Sequence, residues 1–320
     1  MDEFELIARY FASVGPRRAD VVLGVGDDAA LLRVPPGHEL VACVDTLVDG
    51  RHFPSGTRGD DVGWRALAVN LSDIAAMGAV PAWATLALTL PAVDEEWLDG
   101  FVAGFAALAA QHEVALVGGD TTRGPLTVSV QALGFVPEGR ALRRSGAHPG
   151  DLVYVTGWPG DAAAGLALIE GRLAGSGANR GALEAKFRRP EPRVAFGQRL
   201  RGVASACIDV SDGLAADLGR LAAASGVGAV VRAAELPLSR ALYALVGEAR
   251  ARDLALGGGD DYELLFTVPP AARAALGAAT AAPGAPACHC IGEVVAGRGV
   301  RVLGERGELP VPRGWDHFAT

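Results

Sequence analysis

The spacing of apolar residues changes repeatedly along this chain, and each change marks an element. Phe4, Ile7, Ala8, Phe11 and Val14 recur at intervals of three and four, the period of a helix with one buried face, and Gly15-Pro16 ends it. Runs at 20–33 and 39–47 read as strands, each ending near acids. Asp60 can cap a helix whose apolar stripe is Val62, Leu67, Leu71, Ile74 and Ala75 and which stops at Gly78. A strand at 82–90, a helix at 94–111 opened by Asp94-Glu95-Glu96, and strands at 113–118 and 125–136 follow. Beyond the arginine-rich stretch Pro137 to Pro149 the pattern resumes. It predicts strands at 151–157, 205–210, 227–233, 261–268 and 287–295, and helices at 159–170, 192–201, 212–225, 238–251 and 269–279, with a small-residue interruption near 171–181. Alternation of this kind indicates an α/β or α+β fold. A chain of 320 residues is long for one core, so two domains are predicted, 1–138 and 149–320.

Aspartates punctuate this pattern where apolar runs give way to glycine or small polar residues. They stand in VVLGVGDDAALL (21–32), CVDTLVDG (43–50), NLSDIAAMG (70–78), VGGDTTRG (117–124), IDVSDG (208–213) and GGGDDYE (257–263). Each alone is compatible with a turn or a helix cap. An adjacent pair such as Asp27-Asp28 repels itself and needs a positive partner, and acids beside small residues let a ligand approach the backbone. Taken together they read as one oxygen-donor site, and such donors without paired His or Cys favour magnesium, manganese or calcium over zinc. Magnesium normally brings phosphate. Gly118-Gly119-Asp120 could offer backbone N–H groups to a phosphate while the carboxylate holds a metal on it. Ser211-Asp212-Gly213 before a helix could do the same, and Arg143 and Arg144 could close over the anion. Asn70 and Asp73, three apart on the helix that begins near Asp60, lie on one side of it.

Composition narrows the choice. The net charge of -8 and the pI near 5.3 argue against a nucleic-acid surface, which needs a clustered basic face. Lys186 is the only lysine, so the G-x-x-x-x-G-K-[ST] phosphate loop is absent, and metals and arginines must neutralise any bound ATP. Four cysteines, Cys43, Cys207, Cys288 and Cys290, are too scattered for a disulfide scaffold and suit a reducing cytosol. Cys288-His289-Cys290 has the look of a metal clip but lacks a second pair at zinc spacing, which leaves an ordinary strand as the alternative. The N-terminus has neither the basic start nor the apolar middle of a signal peptide. Ile74 to Val93 runs twenty residues without a charge, but Gly78, Pro81 and Pro91 interrupt it and its period changes from helix to strand, so no membrane span is predicted.

The segments GVGDDAALL, VDTLVDGRHF, VNLSDIAAMGAVPAWATLALTLP, LVGGDTTRGPLTVSVQALGFVP, RALRRSGAHPGDLVYVTG, IDVSDGLAADLG, GGGDDYELLFTVP and the terminal WDHFAT together resemble bacterial thiamine-monophosphate kinases. These belong to the superfamily of aminoimidazole ribonucleotide synthetase and selenophosphate synthetase. The likeness runs in order over nearly the whole chain, and SDIAAMGA, GGDTTRGP and DHFAT are specific to the kinase branch. It implies a two-domain fold of the synthetase type: an N-terminal sheet domain that dimerises into a barrel, a C-terminal α/β domain, and an active site in the cleft. It also implies magnesium-dependent transfer of the γ-phosphoryl group of ATP to thiamine monophosphate, the last step to thiamine diphosphate, in a cytoplasmic homodimer. Carried over by position, the metal ligands fall on Asp28, Cys43, the Val44 carbonyl, Asp45, Asp73, Asp120, Asp209 and Asp212. Nucleotide contacts fall on Gly119, Asp120, Arg144 and Ser211, and thiamine phosphate contacts on His52, Asp260 and Trp315. Cys43 stands where a hydroxyl residue is common, and a thiol is a poor magnesium ligand. Asp260 stands where Glu is frequent, one methylene longer.

An acceptor phosphate is mostly a dianion at neutral pH, its second pKa being about 6, so the nucleophile needs no general base. Several magnesium ions between two polyanions are the natural remedy for their repulsion. Direct in-line transfer is therefore expected, with Asp120, Asp212 and Arg144 acting through charge and His52 binding. Two rivals remain open at this level: a sister enzyme activating another substrate through ATP, and a non-catalytic divalent-cation-binding protein.

Overall fold

The computed structural model describes residues 3–12, 14–315 and 318, and the side chains from residue 5 onward. The side chain of Phe4 and, within the terminal WDHFAT, Asp316, His317, Ala319 and Thr320 lie outside them. Two compact units emerge, 1–74 with 79–139, and 75–78 with 140–320.

The first unit contains α1 (Glu3–Tyr10), β1 (Val21–Leu23), β2 (Leu31–Leu32), β3 (His38–Val48), α2 (Gly59–Ala76), β4 (Val80–Leu90), α3 (Glu95–Gln111), β5 (Ala115–Arg123) and β6 (Thr127–Pro137). Its four-stranded sheet has the order β3-β6-β4-β5, with β4 and β5 parallel and the other pairs antiparallel. The α2 stripe is as the spacing predicts: Val62, Leu67, Leu71, Ile74 and Ala75 are all fully buried. Asp94 caps α3 by accepting the Trp97 N–H at 3.1 Å, leaving Leu98, Phe101, Phe105 and Leu108 on the buried face.

Two readings are corrected here. The run at 20–33 is not one strand. Gly26, at φ +118°, turns the chain so that β2 folds back antiparallel on β1, and Val21, Ala30 and Leu32 pack on Trp83 and Val117. The turn between them carries Asp27 and Asp28. The strand predicted to end at residue 118 instead runs on to Arg123. It can do so because a side chain at Gly119 would collide with the Leu86 carbonyl of β4, so the glycine serves strand contact as well as any ligand. The uncharged stretch 74–93 divides into the end of α2 and all of β4. Among the described residues no helix is long and apolar enough to cross a membrane.

The second unit contains β7 (Leu152–Thr156), α4 (Asp161–Ile169), α5 (Gly177–Arg188), α6 (Val194–Arg199), β8 (Ala206–Asp209), α7 (Leu214–Ser225), β9 (Gly228–Arg232), α8 (Arg240–Gly257), β10 (Leu264–Val268), α9 (Arg273–Ala281), β11 (Cys288–Val295), β12 (Gly299–Gly304) and β13 (Gly307–Leu309). Its sheet runs β13-β12-β9-β11-β7-β10-β8 and is antiparallel except for β9 with β12. Apolar residues of the sheet and α7, among them Val153, Ile208, Leu218, Leu221, Val231 and Leu265, form its main core. A smaller cluster joins α4, α5 and α8 through Leu168, Leu183 and Leu242. Helix α5 and strands β12 and β13 are absent from the pattern reading. In α5 only Leu183 and Phe187 are buried, too few to mark a period among alanine, glycine and asparagine.

Candidate functional site

In the first unit, strand alternation sorts the acids. Cys43, Asp45 and Leu47 share one face of β3, and Val44 and Thr46 the other. On the inner face the fully buried Asn70 of α2 joins helix to strand. Its Oδ1 accepts the Asp45 N–H at 3.1 Å, and its Nδ2 donates to the Ala66 carbonyl at 3.0 Å. The Cys43 thiol donates to the Asn70 carbonyl at 3.4 Å. Asp73, half-buried, lies three residues further along α2 and so on the same side of the helix as Asn70. Asp120 stands elsewhere. It is exposed, and the pairings Asp120–Ala87, Ala87–Ser129 and Ser129–Thr46 put it three strand spacings from β3, roughly 14 Å. Asp28 is exposed on the β1–β2 turn, its N–H held by Asp27 Oδ1 at 2.9 Å.

His52 is oriented by its own turn. Its backbone N–H donates to the Val48 carbonyl at 3.0 Å, and its ring Nδ1 accepts the Val48 N–H at 3.0 Å. The neutral ring therefore carries its proton on Nε2, which makes that atom a donor.

In the second unit the predicted residues converge through backbone hydrogen bonds. The segment 258–263, predicted to enter a strand at 261, is instead a loop laid against residues 209–212. Asp260 N–H donates to the Ser211 carbonyl at 2.8 Å, Tyr262 N–H to the Val210 carbonyl at 2.8 Å, and Val210 N–H to the Glu263 carbonyl at 2.9 Å. Strand β10 begins only at Leu264, because Asp260 (φ 70°) and Tyr262 (φ 51°) are left-handed. Trp315 N–H donates to the Asp212 carbonyl at 3.0 Å. Trp315, Asp212, Arg220, Arg313 and Phe318 line a cavity of about 640 Å³. Asp209, Ser211, Asp212, Asp260 and Trp315 are thus neighbours, although more than a hundred residues separate the first from the last. Arg144 is exposed, and its carbonyl accepts the Ser225 hydroxyl at 3.0 Å, tying the arginine segment to the end of α7.

Beneath these residues lie carboxylates that the sequence did not single out. Asp217, with its side chain 1% exposed, accepts the N–H groups of Ser211 and Asp212 at 3.0 Å each. Arg220 pairs with it and reaches Asp212 Oδ2 at 2.6 Å. Burial pushes the Asp217 pKa up to about 6, against the opposing pull of the Asp212 N–H and Arg220. Glu263 is held by the Arg193 guanidinium at 2.6 and 2.7 Å and by the Thr156 hydroxyl at 2.6 Å. Burial works to lower the Arg193 pKa, and its bonds to Glu263 and Glu191 outweigh that and raise it. The periodic signal for these groups is weak, because each sits at an element end and finds its partner far along the chain. Cys288-His289-Cys290 is an ordinary strand segment: the thiols donate to the carbonyls of Pro286 and Gly292 at 3.6 and 3.9 Å, and His289 packs on Trp158.

The two sheets, in this order along the chain, define an AIR synthase related protein. The N-terminal domain of that family matches residues 26–136 and its C-terminal domain residues 148–305. Within this class the chain belongs to the thiamine-monophosphate kinase family. It is 50% identical to the thiamine-monophosphate kinase of Salmonella typhimurium over 99% of this chain and 98% of that one. The crystal structure of thiamine-monophosphate kinase from Stenotrophomonas maltophilia K279a superposes with a TM-score of 0.84 at 52% identity, covering 89% of this chain and 92% of that one. AaThiL complexed with AMPPCP and TMP gives a TM-score of 0.80 at 32% identity over 89% of each chain.

Proposed function

We propose that this chain transfers the γ-phosphoryl group of ATP to thiamine monophosphate, giving thiamine diphosphate and ADP. Beside the family likeness, the observation that carries this reading is the backbone assembly of Asp209, Ser211, Asp212, Asp260 and Trp315. Within the second unit it brings together some of the residues assigned by resemblance to each ligand: Asp209 and Asp212 to metal, Ser211 to the nucleotide, and Asp260 and Trp315 to thiamine phosphate.

The donors fit a hard divalent cation, since Asp28, Asp45, Asp73, Asp120, Asp209, Asp212 and the Val44 carbonyl all offer oxygen. These would hold several magnesium ions, which when bound supply the positive charge that two polyanions need to approach. The Cys43 thiol, turned to the Asn70 carbonyl, supports a part in holding β3 to α2. Ser211, Gly119 and Arg144 would contact the nucleotide. Trp315 would lie against a thiamine ring, and Asp260 and His52 would bind thiamine phosphate. Because His52 presents a donor at Nε2, it suits a phosphate oxygen and not proton abstraction, consistent with an acceptor that is already a dianion. Transfer is direct and in line, without a phosphoenzyme.

The protein acts as a homodimer in the cytosol. Strands β3 and β5 are the outer strands of the four-stranded sheet. Val44, 61% exposed, and Leu40, 52% exposed, make the outer surface of β3 apolar enough to want cover. Closing two such sheets edge to edge would bring Asp120 of one protomer to the strand carrying Asp45 of the other. Among the described residues none of the four cysteines is in a disulfide, which suits a reducing compartment.

ADP release by the purified protein with ATP and magnesium, with and without thiamine monophosphate, tests the reading. Release that requires thiamine monophosphate is expected. Release indifferent to it would move the substrate to that of a sister enzyme, and a phosphorylated protein after ATP alone would contradict direct transfer.

A further inference from the structure

The loop that presents Asp260 is anchored by the residue beside it. Helix α4 has Gly160 at its N-cap, a residue with no side chain to cap it, so its first N–H groups need an acceptor from elsewhere. Asp261 supplies it from a hundred residues away: Oδ2 accepts the Gly160 N–H at 2.8 Å and Oδ1 the Ala162 N–H at 3.3 Å. The residues on either side turn the other way. Asp260 and Tyr262 donate their N–H groups to the carbonyls of Ser211 and Val210, and both adopt left-handed backbone, a conformation a tyrosine rarely takes unless its surroundings impose it. One residue further, Glu263 is locked between Arg193 and Thr156. The Tyr262 hydroxyl lies 3.5 Å from Asp260 Oδ1 in a half-buried contact. The Asp260 backbone is thus held from both neighbours, which fixes the direction in which its side chain leaves the loop.

We infer that Asp261 is a positioning residue for thiamine phosphate: docked in the N-terminus of α4, it sets the direction in which Asp260 meets the substrate, and the Tyr262 hydroxyl refines it. This rests on the reading of Asp260 as a substrate contact. It adds that the affinity of that contact is set by two residues that touch Asp260 or its backbone and not the substrate.

Three variants of the full chain separate the claims: Asp260→Asn, Asp261→Asn and Tyr262→Phe, each with KM for both substrates and kcat measured well below its melting temperature. Asp260→Asn is expected to raise the KM for thiamine monophosphate by about tenfold or more, as loss of a charged hydrogen bond does. Asp261→Asn should reproduce that rise to within a few fold, with the KM for ATP changed by less than about twofold. Tyr262→Phe, which removes one oxygen, should move the same constant by roughly two- to fivefold. If Asp260→Asn raises KM while Asp261→Asn and Tyr262→Phe leave it at the wild-type value, Asp261 is only a helix cap and the inference fails. An equal rise in both KM values in Asp261→Asn would also overturn it. A wild-type KM in Asp260→Asn would remove the substrate reading itself, and the inference with it. Should Asp261→Asn not fold, Tyr262→Phe decides alone.

Discussion

In the first unit Asp28 and Asp120 stand exposed, one on a hairpin turn and one on an edge strand. In the second, Asp161, Asp217 and Glu263 are buried, and the hydrogen bonds to Asp217 and Glu263 come from backbone N–H groups, a hydroxyl and arginines. An exposed carboxylate is inexpensive to keep charged and gains most from a cation that arrives later. A buried one must be compensated by the fold itself, and once compensated it holds neighbouring backbone in place. On the proposed function this contrast separates ligands from framework: Asp217 steadies Ser211 and Asp212, as Glu263 steadies the loop before β10, while Asp120 would bind.

If that division is right, substitution should cost stability in the framework and activity at the exposed acids. The largest stability effect is expected for Arg193→Met, which leaves Glu263 charged and buried without its main partner; a loss of about 3–5 kcal/mol in denaturant unfolding follows from breaking such a pair. A loss under about 1 kcal/mol would mean that Glu263 is not part of the frame. Next comes Asp161, whose pKa burial pushes from 3.8 up to about 6 while the Ser239 hydroxyl, 2.7 Å away, pulls the other way. The folded state holds its proton more tightly than the unfolded chain, so its charge is a penalty that grows as pH rises from about 4 to 6 and is complete above that. Asp161→Asn keeps an acceptor for Ser239 and should stabilise the protein by about 1–2 kcal/mol at pH 7.5 and by nothing near pH 4. Equal gains at both pH values would contradict the assignment.

The smallest effect sharpens the comparison from the other side, since the first unit also holds framework acids, Asp20 among them. Asp20 is gripped by Arg18 at 2.6 and 2.9 Å and by the Trp83 indole N–H at 3.1 Å. Arg18 first, and then Trp83, lower its pKa against the effect of burial. Its contribution is present above the unfolded pKa and is lost as pH falls through the lower folded value. Asp20→Asn should cost about 1 kcal/mol at neutral pH without changing turnover, and the difference from wild type should shrink in acid. A turnover defect would place Asp20 among the functional acids instead.

Much of the architecture was visible in the chain. The stripe of α2, the helix opened at Asp94 and the passage from helix to strand inside residues 74–93 all follow local rules, and the structure keeps them. The acid-glycine stretches were visible for the same reason. What escaped notice depends on partners distant in sequence. Asp261 caps a helix that begins near residue 160, Arg193 answers Glu263, and the 258–263 loop takes left-handed turns at Asp260 and Tyr262 because residues 209–212 offer it carbonyls. The hairpin at 21–32 has the sequence pattern of one strand because its apolar residues continue on both sides of the turn. Helix α5 was missed because its two anchors are legible only against the helices they touch.

The division between ligand and framework is tested most directly by Asp120→Asn, with turnover and melting temperature measured on the same preparation. The account predicts that turnover at saturating ATP, magnesium and thiamine monophosphate falls by ~10³-fold, the scale of removing an electrostatic anchor of phosphoryl transfer, while the melting temperature holds or rises slightly. Retained turnover, or a loss matched by a fall in melting temperature, would put Asp120 in the framework and contradict it.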